Sequence, residues 1–462
     1  MPMILRIVLS SSLLLGVTVA IQAADKPVSY YQEIVPIFKR SCTGCHHPGK
    51  LKGELDMTSY QSFKKGGKHG PGFLAGQPKD SMIIEEISGD EPSMPKEGDP
   101  LSKTEVALMT RWIAEGAKDD TPATAGSFKL TAAPEYSQPP VISALAFSSN
   151  GHLLAVSGYH EVLLHAGAES NIVARLVGES PRIEALAFSP DGKKIAVAGS
   201  APSRFGEVQI WDAATTGTSF TPAKAYKVSL DSIYGISWSP DGTRLAFGGA
   251  DKVVRIIAAG DGKELVKFEN HSDWVFATTW SIDGKRILTG SRDRAMKLID
   301  ASNGQFIDDI NKLLEGVLCF ARHPKEDVVA YGGEMNATRT YKMAENQGRT
   351  AANNDSNLQK EFERMSGPVL AIAYSPDGAA IVIGSVDGEA RLYQAKDAKR
   401  LATFKGHEGA IFALAFHPGT NWVLTAGFEG TVRVFETAKG SLVRAFQPVP
   451  IKREAPHQQA AR

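Results

Sequence analysis

The chain has 462 residues, 51 basic and 51 acidic side chains, and hydrophobic and charged fractions of 42% and 22%. It can bury a core, but it has no polybasic block that would argue for nucleic acid or an anionic membrane surface as partner. Its three cysteines exclude a disulfide framework, so the bulk of the chain is held by burial.

The chain opens with one early charge, Arg6, then Ile7-Val8-Leu9, the apolar run Leu13 to Ala20, and the small residues Ala23-Ala24. This is the pattern of a cleaved secretory signal over residues 1–24. The apolar stretch falls short of the ~20 residues a spanning helix needs, and no later segment is long and apolar enough to span. The expectation is a periplasmic or otherwise extracytoplasmic protein with no integral membrane span after cleavage.

Residues 25–120 read as a small all-α domain. Tyr30, Ile34, Ile37 and Phe38 recur at helical intervals behind Ser29 as a cap, with Pro36 as the awkward residue. Next comes Cys42-Thr43-Gly44-Cys45-His46, the C-x-x-C-H spacing of c-type haem attachment. In that reading two thiols bond the porphyrin and His46 presents its imidazole to the iron. The same thiols open a zinc site or a dithiol redox pair. Both alternatives are weaker, because the third cysteine, Cys319, lies far downstream without a second C-x-x-C. Free cysteine behaves as a small buried hydrophobe, which is the reading for Cys319.

Lys50 to Pro78 is rich in Gly and Lys and reads as a long loop over one haem edge. Met94, between Pro92 and Pro95, is the candidate sixth ligand: the prolines limit the backbone freedom lost when sulfur meets iron, and a Met/His pair raises the potential. The rivals are His69, Met57 and Met82. His47 is too close to His46 to reach the opposite face of the ring. Leu101 to Ile113 is an amphipathic helix with Ser102 and Glu105 as a capping box.

With Pro36-Ile37-Phe38, the haem motif, Lys52-Gly53-Glu54-Leu55-Asp56, Lys65-Gly66-Gly67, Gly76-Gln77-Pro78, Met94-Pro95-Lys96 and Trp112 to Ala117, this region resembles the planctomycete-type cytochrome c domain. The resemblance implies a class I-like cytochrome c fold with one covalently attached haem c, held by Cys42, Cys45, His46 and Met94, the last two on the iron. Lys96 stands where the family commonly has a second proline.

A linker over 121–138 leads to an all-β domain over 139–448. An aromatic residue followed by a tight polar turn recurs seven times, at Phe147, Phe188, Trp238, Trp280, Phe320, Tyr374 and Phe416, with separations of 41, 50, 42, 40, 54 and 42 residues. That is close to the ~40–45 of a WD40 blade, and the region resembles a seven-bladed WD40 propeller. His271 with Asp293 and His407 with Glu429, each pair 22 residues apart, then read as structural hydrogen-bond partners. Trp211-Asp212 is the only literal Trp-Asp dipeptide. The fifth repeat lacks Asp-Gly in its turn and carries a polar insertion from Met343 to Gly367. Ser441 to Phe446 is expected to complete the last blade, Phe128-Lys129-Leu130 to add to an edge, and 449–462 to be a disordered tail.

The function expected is electron transfer by one haem, with the propeller docking a redox partner protein or an associated enzyme. A scaffold with a structural or sensory haem is the alternative, and a haem or propeller oxidoreductase a weaker one. No catalytic residues are assigned, because no acid, histidine or metal-ligand constellation in the sequence concentrates at a propeller centre.

Overall fold

A computed structural model describes residues 26–47, 50–96, 98–121, 130, 132–310, 315–344 and 357–452. Residues 1–25, half of the linker with Phe128 and Lys129, the middle of the polar insertion and the tail from 453 lie outside the described residues. Among the described residues no helix is long and apolar enough to cross a membrane. The chain divides into two compact units, before and after Gly126.

The first unit is helical. Where the spacing predicts a single helix from Ser29, a five-residue π turn, Tyr30–Ile34, hands over to α1, Val35–Ser41. Pro36 explains the break: it has no N–H to donate and is tolerated in the first turn of a helix, so α1 begins around it. Ser29 does cap the turn, its Oγ accepting from the Gln32 N–H at 2.9 Å. The expected long loop is not featureless. It contains α2, Tyr60–Lys65, capped by Ser59, whose Oγ accepts from the Ser62 N–H at 3.1 Å. A further short helix, α3, spans Met82–Ile87. The last helix, α4, spans Lys103–Ala114 and carries the Ser102–Glu105 capping box in both directions.

These elements meet in an aromatic core. Tyr30 stacks on Trp112 at 5.2 Å between ring centres, and Phe38 meets Phe63 edge-on at 4.9 Å. Tyr60 and Phe73 complete the set. The polar ends are satisfied: Tyr60 Oη donates to the Ala117 carbonyl at 2.8 Å and Trp112 Nε1 to the Lys118 carbonyl at 3.0 Å. Such rings bury the most apolar area per residue and lock one another in edge-on and stacked geometry.

The second unit is a seven-bladed propeller. Blade one contains Leu145–Phe147, Leu153–Ser157, Glu161–Ala166 and Ile172–Val177, and six further antiparallel four-stranded sheets follow, the last ending with Leu442–Phe446. The edge strand added to blade one is Gly217–Ser219, which leaves blade two to pair in parallel with Ile172–Val177. Seven apolar cores lie between neighbouring blades, the first joining blade one to blade seven through Leu154, Val156, Leu424 and Val434. No blade can bury both faces alone, so closure of the ring is what completes the core.

The turns between first and second strands share one device. Ser189 Oγ donates to Asp191 Oδ1 at 2.5 Å while the Lys193 N–H donates to the same oxygen at 3.1 Å, and Gly192 sits at φ +71°. The pairs Ser239–Asp241, Ser281–Asp283 and Ser375–Asp377 repeat it. Blades five and seven, which lack Asp-Gly, use an imidazole instead: His323 Nδ1 accepts from the Lys325 N–H at 3.3 Å and His417 Nδ1 from the Gly419 N–H at 3.1 Å. A side-chain acceptor two residues upstream fixes such a turn whichever residue supplies it.

Candidate haem site

Because Ile37 and Phe38 are driven into the aromatic core, α1 delivers its C-terminus to the surface of that core, and the Cys-His segment begins there. Cys42 caps the helix, its N–H donating to the Phe38 carbonyl at 2.8 Å. The chain then folds tightly on itself: the N–H groups of Cys45 and His46 both donate to the Cys42 carbonyl, each at 3.1 Å. The segment is tied to the loop beyond it. The Lys52 N–H donates to the Cys45 carbonyl at 3.2 Å, and the Met57 N–H donates to the His46 carbonyl at 2.9 Å. His46 also pairs with Leu51 in a two-stranded antiparallel ribbon. The Lys65-Gly66-Gly67 run is explained by close approach: a Cβ at Gly67 would strike the Gly53 carbonyl oxygen and the Leu55 nitrogen.

Cys42 and Cys45 are half-buried free thiols. Burial pushes the Cys42 thiol up to about 11, against a smaller opposing pull from Arg40. His46 Nδ1 is buried without a hydrogen-bond partner among the described residues. Among those residues no three His, Cys, Asp or Glu side chains are placed to share one metal ion. This donor set suits a haem better than zinc: a porphyrin takes thiols at its edge and an imidazole at its centre, whereas zinc gathers its ligands around one point. A buried imidazole nitrogen with no protein partner is the kind of group a ligand satisfies.

Met94 lies in the segment between α3 and α4, half-buried against the same apolar core as Cys42. Its N–H donates to the Glu86 carbonyl at 2.9 Å, anchoring the segment to α3. The rivals stand elsewhere. Met57 is fully enclosed in the core, Met82 begins α3, and His69 is exposed in the Gly67–Gly70 turn. Tyr60 and Phe63, which wall the core beside the site, sit in the segment read as loop. Their three-residue spacing behind Ser59 is the helical signal that could have found them.

His271 and His407 of the propeller are occupied by protein. His271 Nδ1 lies 2.7 Å from Asp293 Oδ2 and its Nε2 lies 2.7 Å from Thr289 Oγ1. His407 Nδ1 lies 2.7 Å from Glu429 Oε1 and its Nε2 lies 2.5 Å from Thr425 Oγ1.

Residues 42–98 match the family model of planctomycete cytochrome C. Residues 277–456 match the N-terminal domain of nucleolar protein 10-like proteins, a β-propeller, and 203–281 match the WD40 domain of anaphase-promoting complex subunit 4. Over 77 residues the chain is 35% identical to the periodic tryptophan protein 2 homolog of Dictyostelium discoideum, covering 16% of this chain and 8% of that protein. Over 93 residues it is 30% identical to the serine-threonine kinase receptor-associated protein of the same organism, covering 20% of this chain and 32% of that protein. The chain thus spans less than a third of the length of each relative. A segment similar to the planctomycete cytochrome C family thus precedes a seven-bladed propeller with WD40-like matches.

Proposed function

We propose that this protein is an extracytoplasmic mono-haem c-type cytochrome that transfers electrons, with its propeller docking a redox partner or an associated enzyme. The observation that carries the reading is the Cys42-Thr43-Gly44-Cys45-His46 segment, folded on the end of a core-anchored helix and resting on the same core as Met94. Haem supplies one-electron chemistry when bound. Cys42 and Cys45 would hold it through their thiols, and the His46 imidazole and Met94 thioether would hold the iron. An iron held by two protein side chains would favour electron passage over turnover. The amino-terminal pattern over residues 1–24 supports export, where such attachment takes place.

Expression with an export route and a haem-attachment system tests this. Haem should remain on the denatured polypeptide, with one haem per chain by alkaline pyridine spectrum, and redox titration should give a single one-electron wave. The oxidised protein should show the weak near-infrared band of methionine-ligated haem, and Met94→Ala should abolish it. Haem that washes off the denatured wild-type chain would sink the covalent assignment, and a band unchanged in Met94→Ala would sink the ligand.

A further inference from the structure

Neighbouring blades meet through their first strands, which line the centre of the propeller. Six of these strands are bulged near their start, at Glu184, Tyr234, Phe276, Leu318, Leu370 and Phe412. A bulge re-aims the extra residue out of the ladder, and Ser143 holds the equivalent place in blade one. The ring is unevenly filled. Tyr234 and Phe276 meet at a tilt, 4.7 Å between ring centres, on the side of blades three and four. An open cavity of about 180 Å³ remains among blades one, two, five, six and seven.

Its lining side chains include Ser143, the thiol-bearing Cys319 and one charged side chain, Glu184, beside aliphatic and phenyl groups. The carboxylate accepts from Ser200 Oγ at 3.1 Å on Oε1, and burial raises its pKa. Arg182, two residues earlier, is exposed and lowers that pKa only as the smaller influence. Among the described residues Glu184 forms no ion pair within 4 Å. A half-buried carboxylate with one hydrogen bond gains from a cation and repels an anion, and a neutral apolar guest would desolvate it further. At roughly 30 Å³ for each water-sized atom the cavity holds about six heavy atoms, the size of an alkyl chain ending in an amine.

We propose that the central channel binds a primary alkylammonium group, its nitrogen on Glu184 and its methylene stem along Leu186, Leu370 and Phe412. The same group is offered by a free amine and by a lysine side chain of a partner protein. The site is separate from the haem site and stands or falls without it.

The test is calorimetric titration of the full-length protein with n-pentylamine, with acetyl-Gly-Lys-Gly-amide, and with 1-pentanol as the neutral control. At least one amine should bind saturably, and Glu184→Gln should weaken it by about tenfold or more while 1-pentanol distinguishes neither protein. Ser143→Leu, which puts in blade one the side chain that blades five and six already carry at this place, should fill the cavity and remove binding with Glu184 intact. Tighter binding of the tripeptide identifies a partner's lysine as the source, and binding of pentylamine alone identifies a free amine. If neither amine saturates, or if both variants fold by circular dichroism and bind as the wild type does, the proposal is overturned. Should Glu184→Gln fail to fold, unchanged binding by folded Ser143→Leu overturns it by itself.

Discussion

Tyr136 and Ile451 pair as a parallel bridge, and the Lys452 N–H donates to the Tyr136 carbonyl at 2.8 Å. The segments that lead into and out of the propeller therefore hold each other. Beneath them Tyr136 Oη donates to Glu161 Oε1 at 2.6 Å, and Arg175 grips the same carboxylate through Nε at 2.8 Å and Nη2 at 2.6 Å. Arg175 also donates to the Pro134 carbonyl at 2.7 Å. Glu161 has no solvent exposure, so its charge depends on these partners.

Removing one member of this set should cost unequal amounts. Tyr136→Phe removes one bond to a charged group and should lower unfolding stability by about 1.5–3 kcal/mol. Glu161→Ala strands the Arg175 guanidinium and should cost about 3–5 kcal/mol. Urea unfolding of the propeller followed by tryptophan fluorescence checks the ranking. Equal losses would show that the network is not organised around the carboxylate.

His165 is fully buried on blade one with its ring 5.6 Å from that of Phe446, and burial pushes its pKa down to about 4. The unfolded chain takes up the proton below its ordinary value of 6.5, while the native state stays neutral until about 4. Stability is therefore lost as pH falls through that window, by about 3 kcal/mol at 1.4 kcal/mol for each pH unit. His165→Phe should flatten the stability profile between pH 6.5 and 4. An unchanged slope there would rule out His165 as its source.

Asp293 behaves in the opposite sense. Its burial raises the pKa, but the His271 hydrogen bond and charge outweigh that cost and hold it at about 2, below its ordinary 3.8. A depressed carboxylate stabilises above 3.8, and the stabilisation is lost as pH falls towards 2, by about 2 kcal/mol. Asp293→Asn should remove this component of acid unfolding below pH 4. It should leave the His165 component at higher pH in place, so the double variant tests additivity between two separated sites.

Gly67 lies against the Gly53 carbonyl with no space for a methyl group. Gly67→Ala should force that loop away from the Cys45–Lys52 contact, destabilising the first unit by about 1–3 kcal/mol. It should also lower the fraction of chains that retain haem after denaturation, measured by haem staining against total protein. Normal retention would show that the loop contact does not support attachment.

Patterns that live within a few neighbouring residues were legible in the sequence. The Ser102–Glu105 capping box, the Ser-Pro-Asp-Gly turns and six of the seven strand-ending aromatics needed no partner from elsewhere, because capping, turn geometry and strand alternation are set locally; in blade five that place is Arg322, and Phe320 lies two residues inside the strand. His271 and Asp293 were legible at 22 residues' separation only because a repeating blade fixes the path between them. Short helices were missed where their stabilisation is not local. α2 is six residues long, too short to stand alone in water, and it exists because Tyr60 and Phe63 are buried against Trp112 and Phe38.

The sequence by itself determined the chemical possibilities: two thiols and an imidazole at haem spacing, a methionine between prolines, and seven hairpin-linked repeats. Only the tertiary structure decided which groups share a place. It set Cys42 and Met94 on one core, joined Tyr136 to Ile451 across the length of the propeller, and placed Glu184 as the one charged side chain among the described residues that line the central cavity. Spacing along a chain fixes what neighbours can do. Burial decides which distant side chains meet, and how costly their charges become when they do.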